Sequence, residues 1–164
     1  MKQTTIILAL FATLSFCSVH GQSMGQEYTT ALGLKVTPTA VTIKHFLNDD
    51  RAVEGLLYFW NYGFRFTGLY EFHWDINAIP GLKWYVGPGA HVGFWSNRFR
   101  DNYPGYDNNA YVGFDGVLGL DYKIDNAPVN VSLDWQPSFN LGNGPGAYYG
   151  FYSGFGGIAV RYAF

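Results

Sequence analysis

Gly157-Ile158-Ala159-Val160-Arg161-Tyr162-Ala163-Phe164 reads as a strand. Its alternation sets Ile158, Val160, Tyr162 and Phe164 on one face and Ala159, Arg161 and Ala163 on the other, the period of two that extended backbone imposes. A strand with one apolar face and one small or charged face, at the end of the chain, calls for a neighbour on both edges. A closed barrel supplies both.

The same pattern recurs upstream. Turn signals divide the chain into eight segments: Tyr28 to Val36, Ala40 to Phe46, Ala52 to Phe59, Phe64 to His73, Leu82 to Trp95, Ala110 to Ile124, Val129 to Ser138 and Gly154 to Phe164. Phe64, Phe66, Tyr70 and Phe72 oppose Arg65, Thr67, Glu71 and His73, and Val129, Val131, Leu133 and Trp135 oppose Asn130, Ser132 and Asp134. The fold predicted is all-β, an eight-stranded antiparallel up-and-down transmembrane barrel. A soluble sandwich would carry more Lys and Glu on its outer face.

Composition supports this. Aromatics are 20% of residues and charged residues 13%, with 21 glycines and a net charge of −2. That charge argues against a nucleic-acid partner. Beyond the first residues no run approaches the ~18 apolar residues of a membrane helix. Lys2, the apolar Ile6 to Phe16 and the small positions Val19 and Gly21 read as a secretory signal over residues 1–21, leaving a barrel domain over 22–164. Cys17 raises a lipoprotein signal as a rival, which bulky Phe16 disfavours; cleavage after Gly21 would leave no cysteine.

Eleven charges share the non-apolar faces: Lys35, Lys44, Lys83, Arg65, Lys123 and Arg161 against Glu54, Glu71, Asp115, Asp121 and Asp134. On a lipid face a mid-depth Lys or Arg would cost ~2–4 kcal/mol. Inside a small barrel they can neutralise one another. They are therefore assigned to a lumen network that fills the barrel, with a proton or ion relay as the rival reading. Phe59, Phe64, Phe94 and Trp135 are predicted near one rim, and Trp84, Phe72, Tyr122, Tyr162 and Phe164 near the other, as two interfacial girdles. With both termini periplasmic, the outer side has two long loops, 96–109 and 140–153. Both are rich in aromatics and are the places for a surface ligand. Pro88 interrupts the fifth segment. A bulge there would flip the phase and turn His91 from lumen to lipid.

Taken together, the signal, the eight strands, Tyr85 to Gly93, Gly116 to Tyr122, Asn130 to Trp135 and Val160 to Phe164 resemble small outer-membrane β-barrel proteins of Bacteroidetes, and more remotely OmpA and OmpX. The resemblance implies an outer-membrane location in a Gram-negative bacterium, contact with outer-membrane lipid, and a role for Tyr162 and Phe164 as the signal read by the barrel-assembly machinery. It carries over no catalytic residue.

No chemistry stands out. A lipid A deacylase would need His and Ser close on one strand, and none of His45, His73 and His91 has a serine two residues away. The best chance assembly is His91 with Ser132 or Ser138 and Asp134. No metal-ligand spacing or phosphate loop is present, and no cofactor is predicted. The leading reading is a non-enzymatic outer-membrane barrel with a plugged lumen and a structural or surface-interaction role. A narrow or gated pore, a lipid-modifying enzyme and a soluble ligand-binding barrel are the alternatives.

Overall fold

A computed structural model describes residues 28–61, 63–95, 110–141 and 150–164. The segment predicted as a signal, residues 96–109 and residues 142–149, predicted as loop, lie outside the described residues. The described residues are all strand, turn and loop, with no helix.

Eight strands follow one another: β1 (Thr30–Val36), β2 (Ala40–Asn48), β3 (Arg51–Trp60), β4 (Gly63–Asp75), β5 (Leu82–Trp95), β6 (Ala110–Lys123), β7 (Val129–Asn140) and β8 (Gly150–Ala163). Each pairs antiparallel with the next, and β1 pairs with β8, so the sheet closes with no edge left over. The closing seam runs from Ala31 opposite Ala163 to Val36 opposite Ile158. Ile158 to Tyr162 thus has the two neighbours its alternation called for, β7 and β1.

Glycine opens room where the wall is tightest. Gly33 faces Arg161 across the seam, and a Cβ there would fall 2.0 Å from the Val160 carbonyl oxygen. At Gly119 a Cβ would meet the Tyr85 ring at 2.6 Å. Both positions face inward, where eight strands leave just enough width for side chains.

The phase of the alternation holds from end to end in most strands, but the irregularities fall elsewhere than at Pro88: one lies between Phe46 and Asn48, where β2 meets the turn to β3. Leu69 opposite Gly89 and Phe72 opposite Val86 keep one register on either side of that proline. Pro88 points outward, and His91 stays inward and buried. A second extra residue is in β8. Gln136 pairs with Phe155 and Ser138 with Tyr152, so two residues of β7 span three of β8 beside Pro137. A proline lacks the N–H that would tie its neighbour down. The Trp135 indole donates to the Ser153 carbonyl at 3.1 Å within the bulge.

Several strands also run further than their turn signals implied. β7 continues to Asn140 and β8 begins at Gly150, so the ends of the 140–153 segment are wall, not loop. β4 continues past His73 to Asp75 and brings Trp74 onto the outer face, stacked on Trp84 with centroids 4.4 Å apart.

Candidate functional site

The site is the barrel interior and the mouth above it. We call the end that carries Tyr28 and Phe164 the terminal end, and the opposite end the loop end. Because side chains alternate, about every second residue of each strand points in, and the buried polar and charged residues are among these, with apolar residues at intervals.

Nine of the eleven charges assigned to the lumen are almost fully enclosed: Lys35, Lys44, Glu54, Arg65, Glu71, Asp115, Asp121, Asp134 and Arg161. The other two lie at the terminal rim. Lys83 bonds the Asp49 carbonyl at 3.1 Å and pairs with exposed Asp75 at 3.4 Å, and Lys123 bonds the carbonyls of Ile124 and Ala127 at 3.1 and 2.8 Å. Their strands put them on the inward phase, but so near the turns that backbone carbonyls are nearer than lumen carboxylates. They belong to the rim and not to the buried network.

Lys44 is the hub nearer the terminal end. Its Nζ stands 2.9 Å from Glu71 and 3.3 Å from both Glu54 and Asp121. It also lies 4.1 Å from the centre of the Tyr85 ring. Arg161 donates to Glu54, to Asn130 at 3.0 Å, to Ser132 at 2.8 Å and to Thr42 at 3.2 Å, using its whole fork. Lys35 meets Asp134 at 2.5 Å, and Tyr85 donates to the other oxygen of that carboxylate at 3.0 Å. Tyr28, which precedes β1, donates to Asp121 at 3.1 Å. Burial and the Asp121 carboxylate push its phenol well above its ordinary value, which keeps it a donor.

A second group lies toward the loop end. Arg65 donates to Asp115, which also takes His91 Nδ1 at 2.7 Å and the Gln136 amide at 3.2 Å. His91 Nε2 is 2.9 Å from Asn140 Oδ1, and Tyr58 donates to Gln136 at 2.6 Å. The Arg65 guanidinium lies 4.1 Å from the Phe155 ring centre and 6.0 Å from that of Tyr58.

Rings close the column at both ends of this stack. Tyr28, Ala31, Phe46, Ala52 and Ala163 form an apolar cluster at the terminal end, where Phe46 meets Tyr28 edge-on at 5.1 Å and His73 at 4.8 Å. Tyr58 and Phe155, 5.2 Å apart, close it toward the loop end. Between them the space is taken up by Leu56, Leu69, Tyr85 and Val117.

The structure brings in residues that counting charges passes over. Tyr28, Tyr58, Tyr85, Gln136, Asn130, Thr42 and Asn140 all hydrogen-bond to or within the network. Their signal was phase: Tyr58 shares the parity of Glu54, and Tyr85 that of Lys83. The chance triad does not assemble. His91 holds Asp115 with one nitrogen and Asn140 with the other, while Ser132 binds Arg161. His45 faces outward and meets Thr30 at 2.8 Å. Among the described residues no group of three His, Cys, Asp or Glu could hold a metal ion.

The outer face is the complement. Leu34, Val36, Phe66, Val112, Phe114, Leu133, Val160 and Tyr162 are each at least half exposed. Phe64 stacks on Phe94 at 5.1 Å near the loop end, and Trp74 on Trp84, with Tyr162 beside Phe164 at 6.2 Å, near the terminal end. Compared with protein-family models, curated proteins and solved structures, the chain matches none of them.

Proposed function

We propose that this chain is a small integral outer-membrane barrel of a Gram-negative bacterium, with a filled lumen and a structural or surface-interaction role exercised at its loop end. The observation that carries the reading is the inversion of polarity: Arg65, Arg161, Lys35 and Lys44 are at most 1% exposed, while Phe114 and Leu34 are 61% exposed. In water such an outer face would expose far more contiguous apolar surface than a soluble monomer tolerates. In a bilayer it is matched by acyl chains, and the ring clusters near either end suit the two interfaces.

On this reading the interior is a plug. Four buried cations and five buried carboxylates, joined through tyrosines and amides, occupy the width that an eight-stranded barrel has. No reaction is assigned to it. Tyr162 and Phe164 serve insertion by the assembly machinery, and the segments 96–109 and 140–153 are where a surface ligand is met. The resemblance to small Bacteroidetes barrels agrees with this placement.

Cell fractionation with a gel of heated and unheated samples tests it. Recovery with outer membranes, together with a mobility shift on heating, is the expected result. Recovery in the periplasmic fraction without detergent overturns it in favour of a soluble barrel.

A further inference from the structure

At the loop end a cavity of about 660 Å³ lies above the Arg65 group, walled by Trp60, Trp95, Tyr111, Tyr152 and Phe155. Its size falls within the ~300–1,000 Å³ of small-molecule sites. The wall is angled: Trp60 and Trp95 have centroids 5.6 Å apart at 61°, and Trp95 and Tyr111 are 5.6 Å apart at 31°. Thr37, Asn140, the two tyrosines and Arg65 line the same space, so hydroxyl-, amide- and guanidinium-bearing residues border it. We propose that this cup binds a neutral sugar. This deepens the surface-recognition reading by naming the class of ligand.

Other ligand classes fit less well. A cation would approach the Arg65 guanidinium and find no free carboxylate, since Asp115 is engaged by Arg65, His91 and Gln136. An anion would gain little from Arg65, whose charge Asp115 already balances at contact distance. An acyl chain would strip water from the hydroxyls, amide and guanidinium without replacing their hydrogen bonds, at about 1–3 kcal/mol for each group left unpaired. A pyranose brings an apolar C–H face to lay on a ring and a rim of hydroxyls that both donate and accept. The tyrosine and threonine hydroxyls can do either, while Arg65 can only donate.

The floor is well suited to hold a ligand's orientation. Arg65 is fixed from below by Asp115 and by Thr67 at 3.0 Å, and from the side by Phe155. Asn140 is held by His91. Groups already immobilised lose little further freedom when they bind.

The test uses the full chain purified in an amine-oxide detergent, which has no sugar head group. Methyl glucoside, methyl galactoside and N-acetylglucosamine are titrated by calorimetry and saturation-transfer NMR, with phenol and choline as controls. Saturable binding of at least one sugar in the millimolar range is expected. Trp60→Ala and the more exposed Tyr152→Ala should each weaken it about tenfold, or ~1.4 kcal/mol, whereas outward-facing Leu133→Ala should leave it unchanged. The unheated-gel shift of every variant establishes that the barrel is folded. Folded wild-type protein that binds no sugar, or binds phenol or choline in preference, overturns the proposal. Binding that survives both cup variants does so too. A protein that binds sugar yet fractionates as soluble would sink the membrane reading and leave this one standing.

Discussion

Lys44 on β2 holds its Nζ 2.9 Å from Glu71 on β4, reaching across the lumen past the strand between them. Glu54 and Asp121 lie 3.3 Å from the same nitrogen. Replacing Lys44 with Met would leave Glu71 and Asp121 enclosed without that cation, with Glu54 keeping only Arg161, and breaking a buried ion pair from one side costs about 3–5 kcal/mol. Lys44→Met should therefore unfold at markedly lower urea in detergent or vesicles. Adding Glu71→Gln to it should recover part of the loss, since the surplus charge is then removed.

The outer face predicts the opposite sensitivity. Leu133 is 54% exposed, so in water its replacement by Arg would be nearly neutral. In a bilayer at mid-depth it should cost ~2–4 kcal/mol. Unfolding of Leu133→Arg from lipid vesicles measures this directly, and a cost near zero would count against lipid contact at that strand.

Conductance is set by what fills the lumen. Wild-type protein in planar bilayers should give no stable unit conductance. Arg161→Ala withdraws a side chain that bonds Glu54, Asn130, Ser132 and Thr42. It should lower stability while opening only brief, ion-sized events. Steady conductance from wild-type protein would mean that the network lines a path and does not block one.

Phe164 is exposed beside Tyr162, beyond the end of β8, and bonds β1 through its backbone: its N–H donates to the Thr30 carbonyl at 2.8 Å. Phe164→Ala keeps that backbone bond. It should lower the amount of protein reaching the outer membrane in cells while changing the urea midpoint of refolded protein little. Equal losses in both assays would assign Phe164 to stability and not to assembly.

Most of the wall was legible because a strand repeats every two residues, so one buried charge fixes the phase of its neighbours. Arg65 and Glu71 identify the inner face of β4 unaided, and the boundaries of β5 follow from its flanking turns. Bulge placement was not legible. Pro88 and Pro137 look alike in sequence, each an outward proline in a paired strand. What separates them is the partner: β6 runs past Pro88 in step, with Gly116 opposite, whereas β8 carries one residue more than β7 can match. That count depends on strands joined by long loops. Lys83 and Lys123 were misplaced for a related reason. Parity gives a side chain's face and not its height, and near a turn the carbonyls are the closer acceptors. The tyrosines of the network were missed because an aromatic is at home on either face, and only its phase tells which.

The closing seam has a consequence for how this molecule comes to exist. Arg161 bonds Thr42 across 119 positions and Glu54 across 107, and Lys35 bonds Asp134 across 99. Lys44 already has Glu54 and Glu71 on the next two strands, but Lys35 has no carboxylate until β7 is in place and Glu54 gains its arginine only when β8 docks, so a half-formed sheet leaves part of the network unpaired. Contacts this distant in sequence make folding slow. They also make it cooperative: the part of the interior that joins the first strands to the last forms only in the step that seals the barrel, so an incomplete chain lacks much of what holds the sheet closed.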